Sequence, residues 1–409
     1  MINKITILIL LVLSGISFAG PVRAGASPRE GLAKAIGSHD GLLVKDAENG
    51  HILFEKNSDQ PLVPASILKL VTSLAALHYL GEDYHFVTEC YQRDDGALIL
   101  KGYGDPAFVS EEIDALAGAV SGKIQETPYI VVDGSYFASA LDIPGRSKLS
   151  LEPYDAPNSA LSANYNTVAF SRKHGCYVSA EEQTPLLPFA VDRVKSSGIA
   201  QGRIMIIRNQ EEAAVYAGEL FAHFLTVHGC RVGGPVIEGR TDTESDRPVY
   251  RYLSEKTLPE VVTQLLLYSN NFTANQLLLC CGARQYGAPA TLTKGLQAVE
   301  DFLNRRLDIH DVKMVEGSGL SKENRVSAKT MSRILDAFLP YQSLMRNQDG
   351  EFYKTGNLTD VSTRAGYIIA DSGRRYQYII MLNSPDKDAG RLIPFVNQLI
   401  QQADYPVDR

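Results

Sequence analysis

Apolar positions along this chain follow two different periods, and the switches between them mark out its elements. Between residues 41 and 56, the stretch Gly41-Leu42-Leu43-Val44-Lys45-Asp46 and the run ending Phe54-Glu55-Lys56 read as two short strands joined by a turn at Glu48-Asn49-Gly50. After Pro64-Ala65 the spacing becomes helical: Ile67, Leu70, Val71, Leu74, Leu77 and Leu80 stand mostly three or four apart, with a stop at Gly81. Residues 89–244 are mixed, with β-like runs at Tyr129-Ile130-Val131-Val132 and Arg203-Ile204-Met205-Ile206-Ile207, Gly/Pro turns, and one helical stretch near 110–121. A long helical pattern returns from Leu258 to Cys281, and another covers Thr291–Leu307. The end of the chain alternates strands at Arg364–Ile369 and Tyr376–Met381 with a final helix near 389–402.

This order predicts an α/β (α+β) protein. One domain is made from both ends of the chain, residues 25–88 and 245–409, and a mostly β region at 89–244, with room for two small subdomains, is inserted into it. With 409 residues, 44% apolar and 21% charged, the chain can bury a sizeable core. No internal repeat or low-complexity segment interrupts it.

Charge and special residues narrow the classes. A formal charge of −7 without a basic tract argues against nucleic acid as the partner. Residues 1–24 read as a secretory signal: Lys4 supplies the positive start, Ile5 to Phe18 is an apolar run, and small residues follow at Ala19 and Ala24. That run falls short of the ~20 residues that span a bilayer, so export to the periplasm with no stable anchor is the expectation. The five cysteines, Cys90, Cys176, Cys230, Cys280 and Cys281, show no disulfide framework, although one bridge is possible in an exported protein. Cys280 and Cys281 follow Leu277-Leu278-Leu279 and read as core thiols. The scattered histidines contain no H-E-x-x-H, so no metal site is predicted.

Three short strings carry candidate chemistry: Ser66-Ile67-Leu68-Lys69, Ser269-Asn270-Asn271 and Lys354-Thr355-Gly356. Ser66 and Lys69, three apart, share a helix face, and Ser66 stands at the helix start where free N–H groups favour developing negative charge. A serine hydroxyl needs a base, and a lysine held among apolar neighbours and other cations can be neutral enough to serve. Ser269 would relay a proton to a leaving amine, and Asn271 would orient Lys69 or the substrate backbone. Lys354 and Thr355 can bind a carboxylate, Gly356 admits a close backbone, and the N–H of Asn357 would pair with that of Ser66 as an oxyanion hole. Taken singly, each string has a plainer explanation: a capping serine with a surface lysine, a polar helix end, and a lysine at a β-turn. The second string can also be read one residue earlier, as Tyr268-Ser269-Asn270. Their order along the chain carries the weight.

Two other strings are set aside. Glu300-Asp301-Phe302-Leu303-Asn304 reads as E-x-x-L-N, but the apolar face of that helix (Leu296, Val299, Phe302, Leu303, Leu307) leaves Glu300 in solvent. Gly317-Ser318-Gly319 lacks the first glycine of a nucleophile elbow, since Glu316 stands there, and reads as a turn.

The strings match the S-x-x-K, S-x-N and K-T-G set of penicillin-recognising serine acyltransferases. With Pro64-Ala65-Ser66, Gly102-Tyr103-Gly104-Asp105-Pro106, Val132-Asp133-Gly134-Ser135-Tyr136-Phe137, Tyr154-Asp155-Ala156-Pro157, Glu316-Gly317-Ser318-Gly319-Leu320-Ser321 and Lys354-Thr355-Gly356-Asn357-Leu358-Thr359, the chain resembles the class C low-molecular-mass penicillin-binding proteins. These are the D-alanyl-D-alanine carboxypeptidases/endopeptidases typified by penicillin-binding protein 4. The resemblance implies a penicillin-binding-protein/β-lactamase-like transpeptidase domain, an antiparallel sheet flanked by helices, with extra domains inserted between the first two strings. By position it makes Ser66 the nucleophile, Lys69 the base, Ser269 and Asn271 the second motif and Lys354 the third, with Tyr154 and Lys322 lining the pocket. It implies peptidoglycan peptides and β-lactams as partners and no cofactor. The chain departs from the pattern in three places. The Ser66–Ser269 interval looks short, Ser147-Lys148-Leu149-Ser150 replaces an acidic stretch, and Lys322 stands where Arg is common. The function expected is therefore an exported serine DD-peptidase. A catalytically weak penicillin-binding or scaffold protein, or a β-lactamase or esterase of the same fold, stands as the alternative.

Overall fold

The computed structural model describes residues 27–405, so the signal-like segment lies outside the described residues. In chain order the elements are α1 (Pro28–Ala35), β1 (Asp40–Asp46), β2 (Ile52–Lys56), α2 (Lys69–Leu80), β3 (His85–Gln92), β4 (Leu98–Gly102), α3 (Ser110–Ser121), β5 (Glu126–Thr127) and β6 (Ile130–Asp133). There follow β7 (Thr167–Lys173), β8 (Cys176–Ser179), α4 (Pro188–Ser197), β9 (Gly202–Met205), α5 (Gln210–Val227), β10 (Arg231–Val232), β11 (Val236–Glu238) and β12 (Arg247–Thr257). The chain closes with α6 (Leu258–Tyr268), α7 (Asn271–Tyr286), α8 (Leu292–Arg306), α9 (Ala328–Phe338), β13 (Arg346–Gln348), β14 (Glu351–Leu358), β15 (Val361–Ile369), β16 (Arg375–Leu382) and α10 (Ile393–Asp404).

The two ends of the chain meet in one antiparallel sheet of order β13-β14-β15-β16-β1-β2. Strand β16 pairs with β1 from Asp40↔Leu382 to Asp46↔Tyr376, which closes the N-terminal hairpin onto the C-terminal meander. Alternate residues of β16 serve two cores. Ile379 and Met381 pack with α2, α6, α7, α8 and α9, while Tyr378, Ile380 and Leu382 pack with α1 and α10. A strand buried on both faces reads as a continuous apolar run, as this one does.

Residues between the two halves build a separate core. Its main sheet has the order β11-β6-β4-β3-β12, in which β4, β6 and β11 are mutually parallel and β3 and β12 antiparallel. A second sheet, β8-β7-β9, stands beside it. This region carries three helices where one was expected. The long helix α5 escaped notice because alanine and glycine fill much of its buried face, Ala213, Ala214, Ala217 and Gly218, between Tyr216, Leu220, Phe221 and Phe224. The long pattern predicted from Leu258 to Cys281 is two helices, broken at Ser269. All five cysteines are free thiols, with Cys280 and Cys281 buried in the core. Among the described residues no helix is long and apolar enough to cross a membrane.

Gly366 on β15 lets the backbone of β14 pass close by. A Cβ there would lie 1.9 Å from the Phe352 carbonyl oxygen and 2.8 Å from the Tyr353 Cα. Gly366→Ala must push away the strand that carries Lys354, and overpacking of this kind costs about 1–3 kcal/mol. Urea unfolding of the variant should show a loss in that range; an unchanged midpoint would contradict the close approach.

Candidate active site

The chain enters α2 through a 3-10 turn, Ala65–Leu68, and the residue before Ser66 is bent into the left-handed region: Ala65 has φ 47°. A residue with a Cβ adopts that conformation only when its surroundings hold it there. Here Thr363 Oγ1 of β15 donates to the Pro64 carbonyl at 2.8 Å. A Cβ on Gly319 would lie 1.9 Å from the Ala65 carbonyl oxygen, and one on Gly356 2.5 Å from the Ser66 nitrogen. Two glycines thus clamp the turn from both sides and leave Ser66 half-buried between them.

Lys69, one turn on, is fully buried. Its Nζ donates to Ser66 Oγ (2.9 Å), Asn271 Oδ1 (2.8 Å) and the Ser318 carbonyl (2.7 Å). Burial pushes its pKa well below the ordinary lysine value; the nearby Lys354 charge lowers it further, and the Glu316 carboxylate opposes this. In the neutral amine two N–H bonds suit the two obligate acceptors, Asn271 Oδ1 and the Ser318 carbonyl. The remaining lone pair then faces Ser66 Oγ.

The break between α6 and α7 supplies the second string. Ser269 ends α6 in the left-handed conformation (φ 57°, ψ 38°), and Asn270 caps α7 by accepting from the Thr273 N–H at 3.0 Å. Asn270 therefore turns outward to its capping role, while its neighbours reach the two lysines: Asn271 meets Lys69, and Lys354 Nζ donates to Ser269 Oγ at 2.8 Å. The Tyr268 ring is 75% exposed, so the frame starting at Ser269 is the one whose side chains converge. Lys354 lies within β14, not beside it, and also donates to the Thr355 carbonyl (2.8 Å). Burial, with a contribution from the Arg346 charge, pushes its pKa down to about 7. Strand β13 pairs with β14 only as far as Tyr353, so Lys354, Thr355, Gly356 and Asn357 lie on a stretch without a β13 partner.

The turn at Gly317-Ser318-Gly319 belongs to the same site. Glu316 is completely buried, and its carboxylate accepts from the N–H groups of Ser318 (2.7 Å), Gly319 (2.7 Å) and Ser321 (3.3 Å). Ser318 Oγ (2.6 Å), Asn324 Nδ2 (2.8 Å) and Asn275 Nδ2 (3.2 Å) complete its shell. That nest aims the Ser318 carbonyl at Lys69, while Thr72 Oγ1 donates to the Gly317 carbonyl at 2.6 Å. In the sequence Glu316 stands in one of the strings that carry the resemblance, but no role follows for it there. The available signal was a glutamate inside a Gly/Ser turn, which needs donors, and such a turn offers them.

Tyr154 is 53% exposed at the mouth of the site, and its carbonyl accepts from Asn271 Nδ2 at 3.3 Å. Lys322 is exposed and touches none of the other site residues through a side-chain hydrogen bond. Arg146, which sequence reasoning missed, lines a small notch with Tyr154, Asn271, Phe272 and Leu320 and donates to the Asp155 carbonyl. Glu300 is exposed on α8. Among the described residues no group of His, Cys, Asp and Glu could hold a metal ion.

A sequence profile of the D-Ala-D-Ala carboxypeptidase 3 (S13) family matches residues 31–200 and 193–348. The chain belongs to that family, and it is an enzyme of the serine carboxypeptidase class. The matched residues end before Lys354, so the third string rests on the geometry described above. The chain is 27% identical to a D-alanyl-D-alanine carboxypeptidase of Actinomadura sp. (strain R39), over 82% of this chain and 76% of that protein. Its fold is similar to the crystal structure of penicillin binding protein 4 from Haemophilus influenzae, with a TM-score of 0.72, 19% identity and coverage of 91% and 98% of the two chains. A predatory peptidoglycan endopeptidase from Bdellovibrio bacteriovorus matches with a TM-score of 0.52 and 15% identity, over 89% and 91%.

Replacing Glu316 by Gln keeps the volume but removes the charge and turns an NH₂ toward N–H donors. At least one buried donor loses its acceptor, a loss of about 1–3 kcal/mol on unfolding. Because the carboxylate raises the Lys69 pKa, its removal should shift the acid limb of Ser66 reactivity to lower pH. The stability curve and the pH profile of covalent labelling check the two effects separately, and a shift to higher pH would contradict the arrangement.

Proposed function

We propose that the chain is an exported serine DD-peptidase that hydrolyses peptidoglycan stem peptides through an acyl-serine intermediate and is acylated by β-lactams at the same residue. The observation that carries this reading is the buried Lys69 amine with Ser66 Oγ at 2.9 Å and two fixed acceptors on its other bonds. In this mechanism the substrate lies along the open stretch of β14, with its terminal carboxylate at the Lys354 ammonium and Thr355 hydroxyl. Ser66 Oγ attacks the carbonyl carbon of the penultimate D-alanine and passes its proton to Lys69 Nζ. The oxyanion is held by the N–H groups of Ser66 and Asn357. Collapse of the intermediate breaks the peptide C–N bond, and the departing amine takes a proton through Ser269. Water then hydrolyses the ester by the reverse proton path.

Tyr154 and Lys322 flank the acyl side, and the guanidinium of Arg146 beside Tyr154 supplies a cation there. The division into a catalytic domain from both chain ends and an inserted region is part of the same reading, as is the N-terminal export signal. A peptidase is favoured over a β-lactamase because Glu300 is exposed on α8 and hydrogen-bonds to none of the site residues, so it is not placed to drive rapid deacylation.

Incubated with a fluorescent penicillin, the wild type should give a covalent adduct that survives denaturation, and Ser66→Ala should give none. With muropeptides read by mass, Ser66→Ala should lower turnover by at least about 10³-fold. Labelling that persists in Ser66→Ala would remove the acyl-serine assignment.

The pH profile supplies a second check. Carboxylate binding needs the charged form of Lys354, which is lost as pH rises through about 7, so kcat/KM should fall above that point. A bound carboxylate favours the charged form, which should place the corresponding limb of kcat at higher pH. Lys354→Arg, which stays charged, should abolish the basic limb. A limb unchanged in that variant would assign it to another group.

A further inference from the structure

The inserted region holds a second cleft that the acylation chemistry does not use. Strands β4, β6 and β11 are parallel and are linked by α3 and α5, so their carboxyl ends face the same way. In open sheets of this kind ligands bind in the crevice beyond the carboxyl ends of the strands. A cavity of about 550 Å³ lies there, between the end of β6 (Gly134, Ser135), the end of β11 (Glu238, Gly239, Arg240) and the first turn of α5 (Gln210, Glu211). That volume falls within the range of small-molecule sites, roughly 300–1,000 Å³. Phe137 and Pro289 give it an apolar floor. The Gln210 side-chain amide nitrogen is buried there without a hydrogen-bond partner, which is a donor left waiting for an acceptor.

The lining selects the ligand class. Two carboxylates, Glu211 and Glu238, and one guanidinium, Arg240, line it, so the charge is wrong for a phosphate or another anion. Paired acceptors and donors over an apolar floor match the hydroxyl and acetamido groups, and the C–H face, of an N-acetylated amino sugar.

Its position relative to the catalytic residues agrees. Ser159 also lines the crevice, and the chain runs from it to Tyr154 in five residues, at most about 18 Å. Gln276 Nε2 of α7 donates to the Ser159 carbonyl at 2.9 Å, and Gln276 stands about 7.5 Å along α7 from Asn271. A peptide of four or five residues spans about 13–18 Å when extended. We propose that this crevice binds the glycan strand of peptidoglycan while the attached stem peptide reaches Ser66. The inference rests on the peptidase reading for its substrate, and on the crevice alone for its ligand.

Titration of the full-length protein with chitotetraose, followed by NMR, tests the site without turnover. Saturable binding is expected, with a Kd of about 1 mM or tighter, and it should be lost in the double variant Glu238→Ala/Arg240→Ala and in Ser139→Trp. All three side chains are exposed, so the variants should keep the fold, and unchanged penicillin labelling would confirm it. Kinetically, both variants should lose about tenfold, equivalent to about 1.4 kcal/mol, in kcat/KM on a disaccharide-linked stem peptide. They should lose nothing on the free peptide. Absence of saturable binding to the wild type, or equal losses on both substrates, overturns the proposal. A wild type that cleaves neither substrate would sink the peptidase reading, and the chitotetraose titration would still decide the site.

Discussion

The burial of one ammonium group constrains the whole site. Taking a lysine charge out of water costs several kcal/mol unless it is surrounded by acceptors, and Lys69 finds its three in parts of the sequence that lie far apart: Ser66 on its own turn, Asn271 at the start of α7 and the Ser318 carbonyl. Holding them within 3 Å of one nitrogen requires α2, α7 and the turn before α9 to pack as one body. The large core between these helices and the main sheet does that. Burial and the nearby Lys354 charge nevertheless push the Lys69 pKa well below the ordinary lysine value, the direction that the proposed acylation needs. The same packing makes the site stable and keeps it reactive.

Of the non-glycine residues in left-handed backbone, two stand at the site. Ala65 and Ser269 adopt left-handed backbone without being glycine. Each such residue costs of order 1–3 kcal/mol and persists only where surrounding contacts over-determine it. At Ala65 the contacts come from Gly319, Gly356 and Thr363; at Ser269 the helix break is fixed by the Asn270 cap and the bond to Lys354. Glu316 plays the complementary part: six donors converge on one buried carboxylate and fix a Gly/Ser turn whose Ser318 carbonyl accepts from Lys69. Gly319 and Gly356 are needed because the Ala65–Ser66 backbone passes directly against both of them.

The separate core between the two halves of the main sheet follows the same logic of packing, with parallel strands β4, β6 and β11 and a crevice that Ser159 lines. The Tyr154–Ser159 segment is pinned to α7: Asn158 Nδ2 donates to the Phe272 carbonyl and Gln276 Oε1, and Gln276 Nε2 donates to the Ser159 carbonyl. The candidate active site and the crevice are thereby attached to opposite ends of one short segment that begins in the 3-10 turn Pro153–Asp155.

Much of this was legible in the residues alone. The period-two and period-3.6 patterns placed the N-terminal hairpin, α2, α8 and the last strands, because those elements face one core with one apolar side. The three strings announced their chemistry because acylation needs a hydroxyl, an amine and a carboxylate clamp in any fold. The pattern missed α4, which buries only Ala190 and Val194, and α5, whose first buried turns are mostly alanine and glycine, and it ran α6 and α7 together, since the break depends on a backbone angle at Ser269. It also left Glu316 and Arg146 unread: their roles come from partners brought in by folding. What the sequence determined by itself was which groups are present and which segments are amphipathic. What only the tertiary structure decided was the pKa of Lys69 and Lys354, because desolvation and the approach of a second cation exist only once distant segments close around them.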